Sequence, residues 1–287
     1  MAHVVAATAD DSAAPTLSRH HARGAESARG LLFTILGEFV LPAGGSAWTA
    51  SFLDLLSRLG VEEKAGRQAL MRTASDGWLE SERVGRRTCW HLTRAAVNLL
   101  TEGATRIYGF TSTHQHWDGH WIVVLARVPE RDRAVRHLMR TRLAWAGFGS
   151  ISPGVWISTH ADRRQDAERV LDEAGILSDA LIFDGRFLAG QPLESTVQQA
   201  WDLSAIEARY EAFLREFRTR ATTDPLVRLT ELVHAWRRFP WIDPALPPEL
   251  LPAKWDGIRA AKLFIERHAQ WADAARAEWA RLEEANR

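Results

Sequence analysis

Residues 62–92 constrain this chain most, because they set a helix with a face of small residues directly before a hairpin. At 100° per residue, Ala65, Gly66, Ala69, Leu70 and Thr73 share one face of the expected helix (Glu62 to Ser75), small enough for close docking on a neighbouring helix. Gly66 weakens a helix by about 1 kcal/mol relative to Ala, which makes sense where tight packing is needed. Lys64, Arg67, Gln68, Met71 and Ser75 occupy the opposite face, with Arg72 at its edge. The stretch GWLESERVGRRTCWHLT follows at once. It predicts a strand from Trp78 to Val84, a turn at Gly85-Arg86-Arg87 and a returning strand from Thr88 to Leu92.

Two helices are expected before this pair. SARGLLFTILGEFV (27–40) is mostly apolar and is stopped by Pro42 and Gly44-Gly45. Ser46 then offers an N-cap for AWTASFLDLLSRLG, where Trp48, Phe52, Leu55, Leu56 and Leu59 form one amphipathic stripe ending at Gly60. Helix, helix, turn, helix, hairpin is the order of a winged helix-turn-helix. In such a module Lys64, Arg67, Gln68 and Arg72 sit on the helix that meets base edges in the major groove. Arg83, Arg86 and Arg87 then become phosphate or minor-groove contacts of the wing. The bland alternatives are a solvated helix face and a turn kept in water by its arginines.

Charge supports local rather than bulk affinity for nucleic acid. Lys and Arg total 36 against 36 Asp and Glu, so the net charge is +0 and the chain is not one that coats nucleic acid. From Arg58 to Arg94, however, eight basic residues face five acids.

The rest of the 287 residues changes character twice. A helix from Thr93 to about Tyr108 leads into a middle section. There WIVVLARV (121–128), GVWIST (154–159) and DALIFDG (179–185) read as strands, separated by the helical segments ERDRAVRHLMRTRLAWAG and about 163–174. That alternation predicts a small ferredoxin-like α+β domain. Beyond Pro192 only helices are expected: Ser195–Arg220, Leu226–Phe239 and Trp255–Asn286, with the proline-punctuated connector PWIDPALPPELLP before the last. The expected domains are therefore a small, polar, disordered tail (1–26), a winged helix (27–110), a ferredoxin-like domain (111–190) and a helical effector and dimerisation domain (191–287).

Cys89 is the sole cysteine, so no intrachain disulfide forms, and this usage suits a reducing cytoplasm. No apolar run reaches bilayer length, and the N-terminal residues lack the pattern of a signal peptide.

Further candidate groups lie downstream. His114, His116 and His120 have a spacing that metal ligands use, although only Asp118 stands near to complete a set, and a solvated loop explains them as well. Arg133, Arg136 and Arg140 line one helix face that would suit phosphates, or plain solvent. Trp145, Trp156, Trp236 and Trp241 could wall an aromatic pocket or simply pack. Arg237 and Arg238 adjoin Trp236 and complete the candidate effector-binding set with Arg133, Arg136, Trp156 and Trp241. No G-x-S-x-G, P-loop or G-x-G-x-x-G occurs, and Cys89 with His91 makes no nucleophile pair. Neither a catalytic set nor a cofactor is expected. A metal-dependent nuclease on the ferredoxin-like core, using Asp132, remains the competing enzymatic reading, and a protein-interaction module built on the winged helix is a third.

Four blocks carry a resemblance: FTILGEFVLPAGG, GRQALMRTASDGWLESERVGRRTCWHLT, WDGHWIVVLARVPERDRAVRHLMRTRLAWAGFGSISPGVWIS and AWRRFPWIDPALPPELLPAKWDG. In sequence and order they resemble the PaaX family of bacterial repressors, regulators of phenylacetic acid degradation, from about residue 30 onward. The resemblance implies a winged helix, a Cas2-like ferredoxin fold and a helical C-terminal domain. It also implies a homodimer that represses transcription and leaves its operator DNA when an aryl-CoA thioester, typically phenylacetyl-CoA, binds. By position it puts Arg67 and Arg72 on the recognition helix and Gly85, Arg86 and Arg87 on the wing. Cys89 and His91 depart from the Tyr-rich hairpin frequent in the family, as does the His-rich lead-in to Trp117.

Overall fold

The computed structural model describes residues 27–110, 117–129, 131–219 and 223–287. The tail expected over 1–26, and His114 and His116, lie outside them. The chain gathers into two compact units. The first takes residues up to Ala104, together with Asp224–Thr230 and Ala272–Arg287, and the second takes Thr105–Thr223 with Glu231–Trp271.

In the first unit α1 (Ala28–Ile35) is capped by the Ser27 hydroxyl, which accepts from the Gly30 N–H at 3.1 Å, and runs on as a π-helical turn, Leu36–Val40. Then come β1 (Ser46–Trp48), α2 (Thr49–Arg58), α3 (Glu63–Ser75), β2 (Leu79–Val84) and β3 (Arg87–Leu92). The three strands form an antiparallel sheet in the order β1-β3-β2. The expected N-cap at Ser46 is thus corrected. Ser46, Ala47 and Trp48 pair with His91, Trp90 and Cys89, so their backbone groups satisfy a ladder rather than open a helix, and α2 starts at Thr49.

The small face of α3 does what its composition demands. Gly66, Ala69, Leu70 and Thr73 are buried. A Cβ added at Gly66 would stand 2.9 Å from Leu53 Cδ2 and 3.3 Å from Leu56 Cδ1, so α2 and α3 pack closely at this position and a side chain there would make the leucines shift. The hairpin joining β2 and β3 turns in two residues, Gly85 and Arg86. Gly85 has φ +63°, the region a glycine-led two-residue hairpin turn requires. Trp78 and Trp90 are buried, and the Trp90 indole donates to Thr49 Oγ1 at 2.8 Å. Cys89 is buried in β3, where burial, reinforced by the charges of Glu283 and Glu82, pushes its thiol pKa up.

The last helix, α11 (Asp256–Asn286), completes this core. Trp279 is 2% exposed, stacked on Phe39 (centroids 5.5 Å apart) and edge-on to Phe52 (6.0 Å). Arg276 reaches buried Glu38 of the π-helical turn at 3.4 Å, and Glu283 accepts the Trp48 N–H at 3.3 Å.

The second unit holds the end of α4 (Arg94–Gly109), β4 (His120–Leu125), α5 (Arg133–Trp145), β5 (Gly149–Ser152), β6 (Val155–Ser158), α6 (Arg164–Glu173) and β7 (Leu181–Arg186). The sheet is antiparallel in the order β5-β6-β4-β7, a complete ferredoxin-like β-α-β-β-α-β arrangement. Where GVWIST reads as one strand, the structure has a tight β5–β6 hairpin through Pro153-Gly154. Its first strand is the Gly- and Ser-rich GSIS, which lacks the apolar alternation that marks a strand. Ile122, Val124, Trp156, Met139, Leu143, Ala167, Val170 and Leu171 form the core between the sheet and its two helices.

Five helices follow: α7 (Leu193–Ala200), α8 (Leu203–Arg218), α9 (Pro225–Trp236), α10 (Phe239–Ile242) and α11. The single helix expected over Ser195–Arg220 is two. Trp201 is extended (φ −136°, ψ 138°), and the Asp202 carboxylate caps a new helix by accepting the Ala205 N–H at 3.0 Å. Tyr210, Phe213 and Phe217 of α8, Trp236 and Phe239 nearby, and Phe264 of α11 build an aromatic core. Among the described residues no helix is long and apolar enough to cross a membrane.

Truncating Trp279→Ala should destabilise the protein by about 3–5 kcal/mol in urea unfolding. Trp279→Phe should cost clearly less, because it keeps the ring stack and removes a buried indole N–H that finds no acceptor among the described residues. Equal losses for the two would place the weight of this contact elsewhere.

Candidate nucleic-acid interface

The polar face of α3 is open. Glu63, Lys64, Arg67, Gln68, Met71 and Arg72 line one shallow depression on the surface. Burial of Gly66, Ala69 and Leu70 on the other side fixes this orientation, since 3.6-residue periodicity leaves those side chains nowhere else to point. Arg67 gives both Nε and Nη2 to Glu63 Oε1 at 2.8 Å, one turn back. Both partners are exposed, so the pair is worth no more than about 1 kcal/mol and can be exchanged for another acceptor. Arg58, part of the local basic excess, is instead committed to carboxylates: Asp54 at 2.6 Å, Asp224 at 3.2 Å and Glu278 at 3.5 Å.

The hairpin separates its three arginines. Arg86 stands exposed at the turn, and Arg83 Nε donates to the Gly85 carbonyl at 3.3 Å. Arg87 donates to the Asn286 carbonyl at 3.1 Å and to the Arg287 carbonyl, so its guanidinium is held by the end of α11. On the same hairpin His91 pairs with Glu82 at 2.9 Å.

The candidate effector residues do not gather at one place. Arg133 and Arg136 lie on the first turn of α5, Arg133 exposed and Arg136 half-buried. Trp156 is buried in the ferredoxin-like core. Trp236 is fully enclosed, stacked on Phe264 at 4.7 Å and flanked by Phe239 (5.1 Å) and Phe213 (5.4 Å), with its indole donating to the Ile107 carbonyl at 3.2 Å. Arg237, half-buried, has its pKa pushed down to about 10 by burial and by the charge of Arg238, which is exposed. Burial, with those two arginines, drives His234 down to about 3, so it is neutral at physiological pH.

Trp241 differs from the other tryptophans in that set. It is 45% exposed and edge-on to Trp145, which is 37% exposed, at 6.2 Å. The guanidinium of Arg106, at the end of α4, lies 4.1 Å from the Trp241 ring centre. Nothing in the sequence marks Arg106, because its partner lies 135 residues further on.

His120 Nδ1 sits 2.7 Å from Asp184 Oδ1, and no group of three His, Cys, Asp or Glu side chains among the described residues could hold a metal. Asp132 is the N-terminal flank of α5, with Arg131 3.9 Å from its carboxylate.

The chain is an α+β protein with a ferredoxin-like centre, a helical C-terminal region and an open helix face carrying Lys64, Arg67, Gln68 and Arg72. Three family descriptions match along the chain: PaaX-like protein over residues 27–96, PaaX protein central Cas2-like domain over 114–213, and PaaX-like protein C-terminal domain over 201–281. The transcriptional repressor PaaX of Escherichia coli (strain K12) is 31% identical over 269 residues, covering 87% of this chain and 82% of its own length. The uncharacterized protein Rv0674 from Mycobacterium tuberculosis shares the fold, with a TM-score of 0.58 at 21% identity, over 91% of this chain and 98% of its own. The chain belongs to the PaaX family of transcriptional repressors. It is accordingly a regulator rather than an enzyme, and the nuclease reading of Asp132 falls with that assignment.

Proposed function

We propose that this protein is a DNA-binding repressor of a phenylacetate-type catabolic operon, in which the first unit is a winged helix-turn-helix with α3 as recognition helix and the β2–β3 hairpin as wing. The observation that carries the DNA reading is the open face of Lys64, Arg67, Gln68 and Arg72 on a helix seated by Gly66. Arg and Lys can bond guanine O6 and N7, and Gln can bond adenine N6 and N7. Arg83 and Arg86 serve the phosphates beside them, while Arg87 sets the pose of the wing through the carbonyls of Asn286 and Arg287.

The repressor acts as a homodimer in the cytoplasm and is released by an aryl-CoA such as phenylacetyl-CoA, as the family resemblance implies. The dimer is supported by β7, an edge strand of the sheet that leaves Leu181, Phe183, Phe187 and Leu188 exposed in and just after it. An apolar open edge is one that natural proteins cover. An effector can shift DNA occupancy only by its differential affinity for the bound and free states.

With DNA from upstream of its own gene, Arg67→Ala should weaken binding by about 1–3 kcal/mol and relax preference at one base position. Arg86→Ala should weaken all sequences alike and lower the salt slope by about 1. Glu63→Gln, which frees Arg67 and removes a negative charge from the face, should tighten binding; unchanged affinity in all three variants would exclude α3 and the hairpin from the interface. In light scattering the full chain should be a dimer, and Leu181→Glu with Phe183→Glu should make it a monomer. A monomeric wild-type chain would remove the dimer from this scheme.

A further inference from the structure

Outside the DNA-binding surface, one cluster joins cations to exposed aromatic rings. Arg106 lies over Trp241 at 4.1 Å, and Trp241 meets Trp145 edge-on. Both indoles are over a third exposed, where Trp156 and Trp236 are buried. Arg163, just before α6, adds a second guanidinium. Its Nη1 reaches Asp166 at only 3.4 Å, and its buried Nε finds no acceptor among the described residues. His160, three residues earlier, bonds the Pro244 carbonyl at 3.0 Å and so ties this corner to the segment after α10.

The charges do not balance locally. Asp166 serves Arg163 and also Arg169, at 3.2 Å, and no carboxylate among the described residues forms an ion pair with Arg106. Burial, followed by the charge of Arg163, lowers the Arg106 pKa, with Asp166 opposing. Arg106, partly buried with a second guanidinium nearby and no carboxylate paired to it among the described residues, is held at a cost that a bound anion would offset. The adjacent indole faces add the preference for a planar ring.

We propose that Arg106, Arg163, Trp145 and Trp241 form a binding site for an aromatic anion: an aryl or purine ring carried beside a phosphate or carboxylate. Arg106 and Arg163 take the anionic group, and Trp241 and Trp145 take the ring. That the ligand is an aryl-CoA rests on the effector reading above; the site itself does not.

Calorimetric titration of the full-length protein with phenyl phosphate and, separately, phenylacetyl-CoA tests both. Arg106→Gln and Trp241→Ala should each weaken both ligands tenfold or more, with the melting temperature unchanged. If Arg106→Gln melts early, Trp241→Ala decides, because Trp241 lies at the surface. Phenylacetyl-CoA binding that neither variant weakens overturns the site and leaves the effector reading standing. Phenyl phosphate binding that depends on Arg106, with none of phenylacetyl-CoA, keeps the site and removes that effector. A wild-type protein that takes up neither ligand overturns both.

Discussion

The close packing of α3 on α2 at Gly66 is the constraint on which the open polar face of α3 depends. Leu53 and Leu56 of α2 crowd the space a Cβ would need, so α3 lies close against α2. That contact aims Lys64, Arg67 and Gln68 outward. A glycine inside a helix is costly in isolation, and here the cost is offset by close packing against Leu53 and Leu56. Arg29 bonded to Asp76 at 2.5 Å adds a second tie, from α1 to the end of α3.

Aromatic packing fixes the other end of this unit. Trp279 comes from the far end of the sequence, yet it fills the space between Phe39 and Phe52. The same helix turn brings Glu283 to the backbone of Trp48, and the carbonyls of Asn286 and Arg287 to Arg87. The hairpin is therefore set from two sides: by its own Gly85 turn and by the last turn of α11.

Periodic patterns were the legible part of the sequence. The small face of α3, the Leu55–Leu56 stripe of α2 and the apolar run of β4 each report burial directly; the structure has the two helices within two residues, while β4 ends at Leu125, three residues before the end of the run. Contacts that join distant positions left no such trace. Ser46 has the chemistry of a helix cap, but the strand it joins, β3, is more than forty residues away. β5 is Gly- and Ser-rich and becomes a strand only because β6 offers it a ladder. Tryptophan content suggested an aromatic pocket without saying which rings would be left open. Trp236 lies in a box of rings drawn from three other helices, whereas Trp241, five residues on, is exposed beside an arginine from α4.

Cys89 has one consequence of a different kind. It is the sole thiol in the sequence, it is buried in β3, and its surroundings hold it in the protonated, unreactive form. A cysteine introduced at position 86, on the exposed turn, would be the one thiol open to attachment. A fluorophore placed there would report the environment of the hairpin tip with no native residue removed elsewhere.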